Sequence, residues 1–273
     1  MDSSIWPRCD AETSPDRGFY YHPSRHSAGQ PIVAGWAYQW VAQLGFTRES
    51  WTAPLDARRV HPTENPNAVA AQQVVQVVQL RPPDGPVPLF VFDAGYDPVQ
   101  LTQALGATPA AILVRLRSNR CFYADPPAST GTGRPRRHGA KFVCRDPRTW
   151  PVPTATHTGD DPHYGTVRVQ AWARLHPVVQ NHATRGTRQP RPIVRGTLIR
   201  VAVSRLPRQT RQPQVLWLGG MARGLLTSRS CGGPTCGGLT WNIPFGSSSR
   251  PWAGPPPGSA LRSRPTAGPG WSC

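Results

Sequence analysis

One aspartate in this chain stands where a carboxylate could do metal chemistry. Asp93 closes the apolar run of PLFVFDAGYD, Pro88–Asp97, and is followed by a turn containing Gly95. An acid at the tip of a buried, parallel-type strand directs its carboxylate out of the sheet edge, where oxygen ligands can take a hard cation such as Mg2+. Asp2, in MDSSIWPR, is an acid just ahead of a predicted small-residue turn. A structural reading competes at Asp93, because aspartates that follow strands also cap helices and form turns. Ser-His-Asp catalysis has no supporting GxSxG motif.

The elements around Asp93 read as strand, helix, strand. Pro98–Leu105 has proline in its first turn and predicts a short helix. Ala110–Arg117, AAILVRLR, predicts a second buried strand, so a right-handed βαβ crossover is expected. Upstream, Asn67–Leu80 has Val74, Val77 and Val78 at helical spacing, with Asn67 as its expected cap. Pro31–Leu44 is β-branched and aromatic and predicts a strand, and Trp51–Val60 a further one interrupted by Pro54. Trp36, Trp40 and Trp51 are expected in the core rather than as base-stacking platforms. Met1–Arg17 reads as polar and broken by prolines. Downstream, KFVC, Gly165–Leu175, Gly196–Leu206 and Gln214–Leu218 read as strands, after which the pattern stops.

The 273 residues carry 31 Lys and Arg against 14 Asp and Glu, a formal charge of +17. Such a surface favours a polyanion, most simply nucleic acid. GC-rich coding is the competing explanation, since Lys141 is the only lysine. Candidate DNA contacts are Arg25 and His26 in YYHPSRHSAG, and Arg134, Arg136, Arg137 and Lys141 in a basic turn that also holds His138. A structured loop and a solvated charged loop are the plainer readings of these two stretches. The six cysteines form no CxxC pair, which argues against zinc. No apolar run of membrane-spanning length and no signal peptide is present, so the expected location is cytoplasmic and no membrane partner is expected.

From Asp2 to about Leu218 the chain closely resembles a DDE-type insertion-sequence transposase of the RNase H-like nuclease superfamily. The resemblance rests on WPRCDAETSP, HPSRHSAGQPIVAGWAYQWVAQL, LFVFDAGYD, FYADPP, GRPRRHGAKF and PIVRGTLIRV. It implies an α/β fold: an RNase H-like mixed sheet with flanking helices, interrupted by an inserted β-rich region. The expected layout is a partial catalytic core over 1–118, the inserted region over 119–218 and an irregular tail over 219–273. It also implies that Asp2 ends the first core strand and Asp93 the fourth, both as catalytic metal ligands. Two Mg2+ ions would serve DNA cleavage and strand transfer at transposon ends, with self-association in intact relatives. The family's third acid is a Glu on a later helix, in a motif like RRFDxEHxFRFxKxxLGW. This chain has no Asp or Glu after Asp161.

Its tail instead reads RSCGGPTCGGLTWNIPFGSSSRPWAG over Arg229–Gly254, with no strand alternation and no helical period. Read with each codon starting one base earlier, the Trp241–Asn242 junction is forced to GAA, a Glu codon, and Trp252–Ala253 to a Gly codon. Phe245–Gly246 becomes Arg or Trp, and Gly219–Gly220 can become Trp-Trp. With free wobble bases elsewhere the family motif can be rebuilt. The expectation is a frameshift near Leu218–Gly219, with a native Gly/Ser/Pro linker as the alternative. Met1 directly precedes Asp2, so most of the first core strand, along with any N-terminal DNA-binding region, is also expected to be missing. The resulting expectation is an inactive transposase fragment with an exposed apolar sheet face; the alternative is a basic, non-enzymatic DNA-binding protein derived from a transposase.

Overall fold

In a computed structural model the described residues are 1–21, 31–45, 52–82, 84–128, 131, 135–178, 193–206 and 215–220. The chain divides into two units, and apart from Leu44, Gly45 and Thr52 every described residue belongs to the first. The architecture is mixed α/β. Strands β1 (Asp2–Pro7), β2 (Gly18–Tyr21), β3 (Ile32–Leu44) and β4 (Thr52–Val60) form one sheet around β3. Helix α1 (Pro66–Gln79) follows, then β5 (Leu89–Phe92), α2 (Pro98–Leu105) and β6 (Ala111–Leu116). A hairpin of β7 (Cys121–Tyr123) and β8 (Lys141–Val143) comes next. Strands β9 (Ala155–Asp161), β10 (Gly165–Leu175), β11 (Gly196–Val203) and β12 (Val215–Gly220) complete the order.

The second sheet runs β5-β6-β12-β11-β10-β9. Only β5 and β6 in it are parallel, as a strand–helix–strand unit requires; its other pairs are antiparallel. Strands β9–β12 therefore continue the sheet that carries Asp93, while β7 and β8 pair apart from it. β12 starts one residue later than the sequence pattern and runs two residues further, because Gly219 and Gly220 still pair with Val114 and Leu113.

The first strand corrects a sequence expectation. Asp2 begins β1 rather than ending a strand, and the expected turn after it is extended chain paired residue for residue with β3, Asp2 opposite Trp40 and Pro7 opposite Gly35. Pro7 is tolerated because β1 lies at the edge of its sheet. Gly35 is required by that pairing, since a Cβ there would overlap the Trp6 carbonyl oxygen. Pro54 is likewise tolerated in β4, which joins the sheet through β3.

Both helices lie over one side of the strands. Ala70, Ala71 and Val74 of α1 and Leu101 and Leu105 of α2 share a core with Phe90, Phe92, Ile112, Val114 and Leu116. Asn65 rather than Asn67 caps α1, accepting a hydrogen bond from the Asn67 amide, because Pro66 starts the first turn two residues earlier than a cap at Asn67 would. Asp97 caps α2 and accepts from the amides of Val99 and Gln100. Replacing it by alanine frees both donors and should cost about 1 kcal/mol in chemical denaturation. At the far end of the core Phe142, Trp150, Trp172 and Trp217 pack ring on ring, with centroids 5.2–6.1 Å apart.

On the other face of the first sheet Trp36 donates its indole N–H to the Pro15 carbonyl and has Arg59 over its ring. Opposed residues of an antiparallel pair share a face, so Asp2, Ser4 and Trp6 lie with Trp40, Tyr38 and Trp36. Trp36 and Trp40 are half-buried on this face rather than fully buried, which corrects their expected core placement. The odd-numbered Val33, Ala37, Gln39 and Val41 are the buried ones. Trp51 lies outside the described residues. Trp6, Phe19 and Tyr21 are exposed.

Candidate nuclease site

Asp93 follows β5 directly, and the register places it beside Arg115 of β6. Their side chains meet at 3.4 Å between Arg115 Nη1 and Asp93 Oδ1, with both about half exposed. The strand itself differs from the expected fully buried run. β5 lies at the sheet edge and alternates, Phe90 and Phe92 inward, Leu89 and Val91 exposed. Asp93 continues the outward set.

The turn divides two roles between its two acids. Asp97 takes the capping role that competed as a reading of Asp93. Asp93 contributes only its backbone carbonyl to the turn, accepting from the Tyr96 amide. Its carboxylate caps no helix and stands at the sheet edge, in contact with Arg115.

Asp2 arrives from the other sheet. The Met1 ammonium donates to the Val91 carbonyl, so the start of β1 lies against the outer edge of β5. Tyr96 reports on both acids. It is 6 % exposed, packs edge-on to Phe92 at 5.2 Å, and its hydroxyl has no hydrogen-bond partner. Burial first, then the charges of Asp2 and Asp93, push that hydroxyl up to about 12. Both carboxylates are thus within Coulomb reach of one buried group.

The sign of that shift sets a pH dependence. Between pH 10 and about 12 the unfolded chain ionises this tyrosine and the native one does not, so native stability falls with rising pH across that window. Tyr96→Phe should remove that part of the alkaline loss, and leave stability at neutral pH unchanged or slightly higher, because it deletes an unpartnered buried hydroxyl. Denaturation midpoints measured against pH for both proteins check this.

The remaining candidates divide by position. Arg136, Arg137 and Lys141 are exposed on the turn leading into β8. They are remote in sequence from both acids, and the structure gives no direct contact between them and Asp2 or Asp93. Arg25, His26 and Arg134 lie outside the described residues. Sequence reasoning missed Tyr96 and Arg115. The tyrosine stands inside FDAGYD and is legible there; the arginine is found only from the β5–β6 register.

Mg2+ takes one or two carboxylates together with water and substrate oxygens. Asp2 and Asp93 are of the residue type that donor set asks for, and both act electrostatically on the buried Tyr96 hydroxyl. A two-ion site needs a further carboxylate. Among the described residues no three His, Cys, Asp or Glu side chains gather where they could hold a metal.

No helix among the described residues is long and apolar enough to cross a membrane. A search of curated proteins finds no match. The family model described as DDE superfamily endonuclease matches residues 1–178, which takes in both acids, the β5–α2–β6 unit and the basic turn. Endonucleases of this superfamily act on DNA and generally use divalent metals. With that match spanning more than half of its length, the chain belongs to the DDE superfamily endonucleases.

Proposed function

We propose that this protein is the remnant of an RNase H-like DDE transposase in which Asp2 and Asp93 are two of the three metal-binding acids, and that it does not cleave DNA as it stands. One observation carries the reading of Asp93. Of the two acids in its turn, Asp97 caps the helix and Asp93 does not, which leaves Asp93 free for chemistry on the side from which Asp2 approaches. When bound, Mg2+ would activate the attacking oxygen and stabilise the leaving one. The residues' part is to hold it: Asp2 and Asp93 from two sheets. The inactivity rests on the sequence, which has no acid after Asp161. We attribute that loss to a frameshift near Leu218–Gly219; the restored Glu codon spans Trp241 and Asn242, which lie outside the described residues.

The test is nicking of supercoiled DNA by the purified chain in Mg2+. No nicking is expected above a metal-free control. Mg2+-dependent nicking that disappears in Asp93→Ala would overturn the inactivity and keep the site. Nicking that persists in Asp93→Ala would overturn the site.

The charge of +17 favours a second reading, a DNA-binding protein that needs no metal. It expects salt-sensitive binding in the presence of a chelator, with a steep log–log slope.

A further inference from the structure

Three of the motifs that carry the family resemblance play no part in the two-aspartate site: FYADPP, GRPRRHGAKF and PIVRGTLIRV. They converge on one another. Asp125 of the first accepts a hydrogen bond from Arg195 Nε of the third at 2.6 Å. Its other carboxylate oxygen accepts two more from Arg174, at 2.7 and 3.2 Å. His138 of the second motif shares a 2.9 Å hydrogen bond with the fully buried His176. The ring of Tyr123 lies 5.4 Å from that of His138. Burial first, then His138, lowers the pKa of His176, so the buried ring stays neutral.

Two backbone features serve this convergence. Arg174 has φ 61°, one of two positive values among the described non-glycine residues, inside an irregularity of the β10–β11 ladder between Trp172 and Leu175. That conformation is costly for a residue with a Cβ, and bulges re-aim side chains. Here it aims Arg174 at Asp125. Gly139 lets the basic turn approach, because a Cβ there would overlap the Asp125 carbonyl oxygen. The Gly139 amide donates to the Ala124 carbonyl at the same place.

The charges do not balance. Asp125 is one carboxylate facing Arg174 and Arg195, and Arg137 is close enough to act on His176. The Arg174 and Arg195 side chains are 74 % and 46 % exposed, so each keeps donors turned to solvent. A guanidinium held on one edge by a carboxylate and open on the other presents a fixed fork to a phosphate.

We infer that Asp125, Arg174 and Arg195, joined to the basic turn at Arg137, form a phosphate clamp for the DNA backbone, with Asp125 as the residue that positions the two guanidiniums. This rests on the reading of the chain as a DNA-acting protein, and it adds Asp125, Arg174 and Arg195, which neither charge counting nor the acid motif selects.

The experiment uses the full chain and a short duplex of mixed sequence, in a chelator so that cleavage plays no part. Affinity is measured against salt for wild type, Arg174→Gln, Arg195→Gln and Asp125→Asn, with a thermal melt of each. Each arginine variant should flatten the log–log slope by about 0.9 for each phosphate it no longer neutralises. Asp125→Asn discriminates most sharply. It raises the net charge, so a mere counter-charge would make binding tighter; a positioning residue makes it weaker.

Unchanged slopes in folded arginine variants, or tighter binding by Asp125→Asn, would overturn the clamp while leaving a DNA-binding protein. Wild type that binds no duplex would instead sink the DNA reading itself. Should Arg195→Gln not fold, Arg174→Gln, whose side chain is the more exposed, carries the test.

Discussion

Restoring the alternate frame after Leu218 should turn a silent chain into one that nicks supercoiled DNA in Mg2+, and Asp93→Ala in the repaired chain should silence it again. The size of the effect follows from what a metal does at phosphorus. It supplies several kcal/mol of charge stabilisation in the transition state, and each 1.36 kcal/mol is a factor of about ten. Rate differences of roughly a thousand-fold or more are therefore expected between repaired and present chains. Sequencing the DNA across codons 210–250 comes first, because the forced Glu codon at Trp241–Asn242 is surrounded by codons whose third bases are free. If those bases do not encode the motif, the tail is native and the metal-free DNA-binding reading takes first place. If they do and the repaired chain still fails to nick, the two-aspartate site is the part that is wrong.

The second large effect is on the fold. Trp172→Ala should cost about 3–5 kcal/mol, as removal of a large buried aromatic does. Trp172 is 2 % exposed, donates its indole N–H to the Pro151 carbonyl at 2.8 Å, and packs against Phe142, Trp150 and Trp217. Those partners come from the β8 strand, the turn after it and the last strand, so one cavity loosens several elements together. A domain has only about 5–15 kcal/mol to lose. The variant should show a much lower urea midpoint and a weakened near-ultraviolet circular dichroism signal. Trp217→Ala should behave similarly. A midpoint within experimental error of wild type would mean that this aromatic layer is not the core.

The local elements and the candidates for chemistry were legible along the chain. Periodicity was enough for α1, α2, β3, β6 and β10, because apolar spacing and proline position act over a few residues. The motif FDAGYD was enough to single out Asp93. What only tertiary structure decided was which acid does what. Asp93 and Asp97 are the same residue type four positions apart, and the α2 amides settle that Asp97 is the cap. β1 was hidden because its pairing with β3 spans about thirty residues and overrides a local pattern of serines and a proline. Trp36 and Trp40 sit away from the core expected for them because alternation along β3 says only that two faces differ, and the position of α1 says which one is covered. The Asp125 cluster joins residues 49 and 70 positions apart. Each of its motifs is visible in one dimension, but their meeting depends on a ladder irregularity at Arg174 and a close approach at Gly139, and such long-range geometry leaves no periodic trace in a sequence.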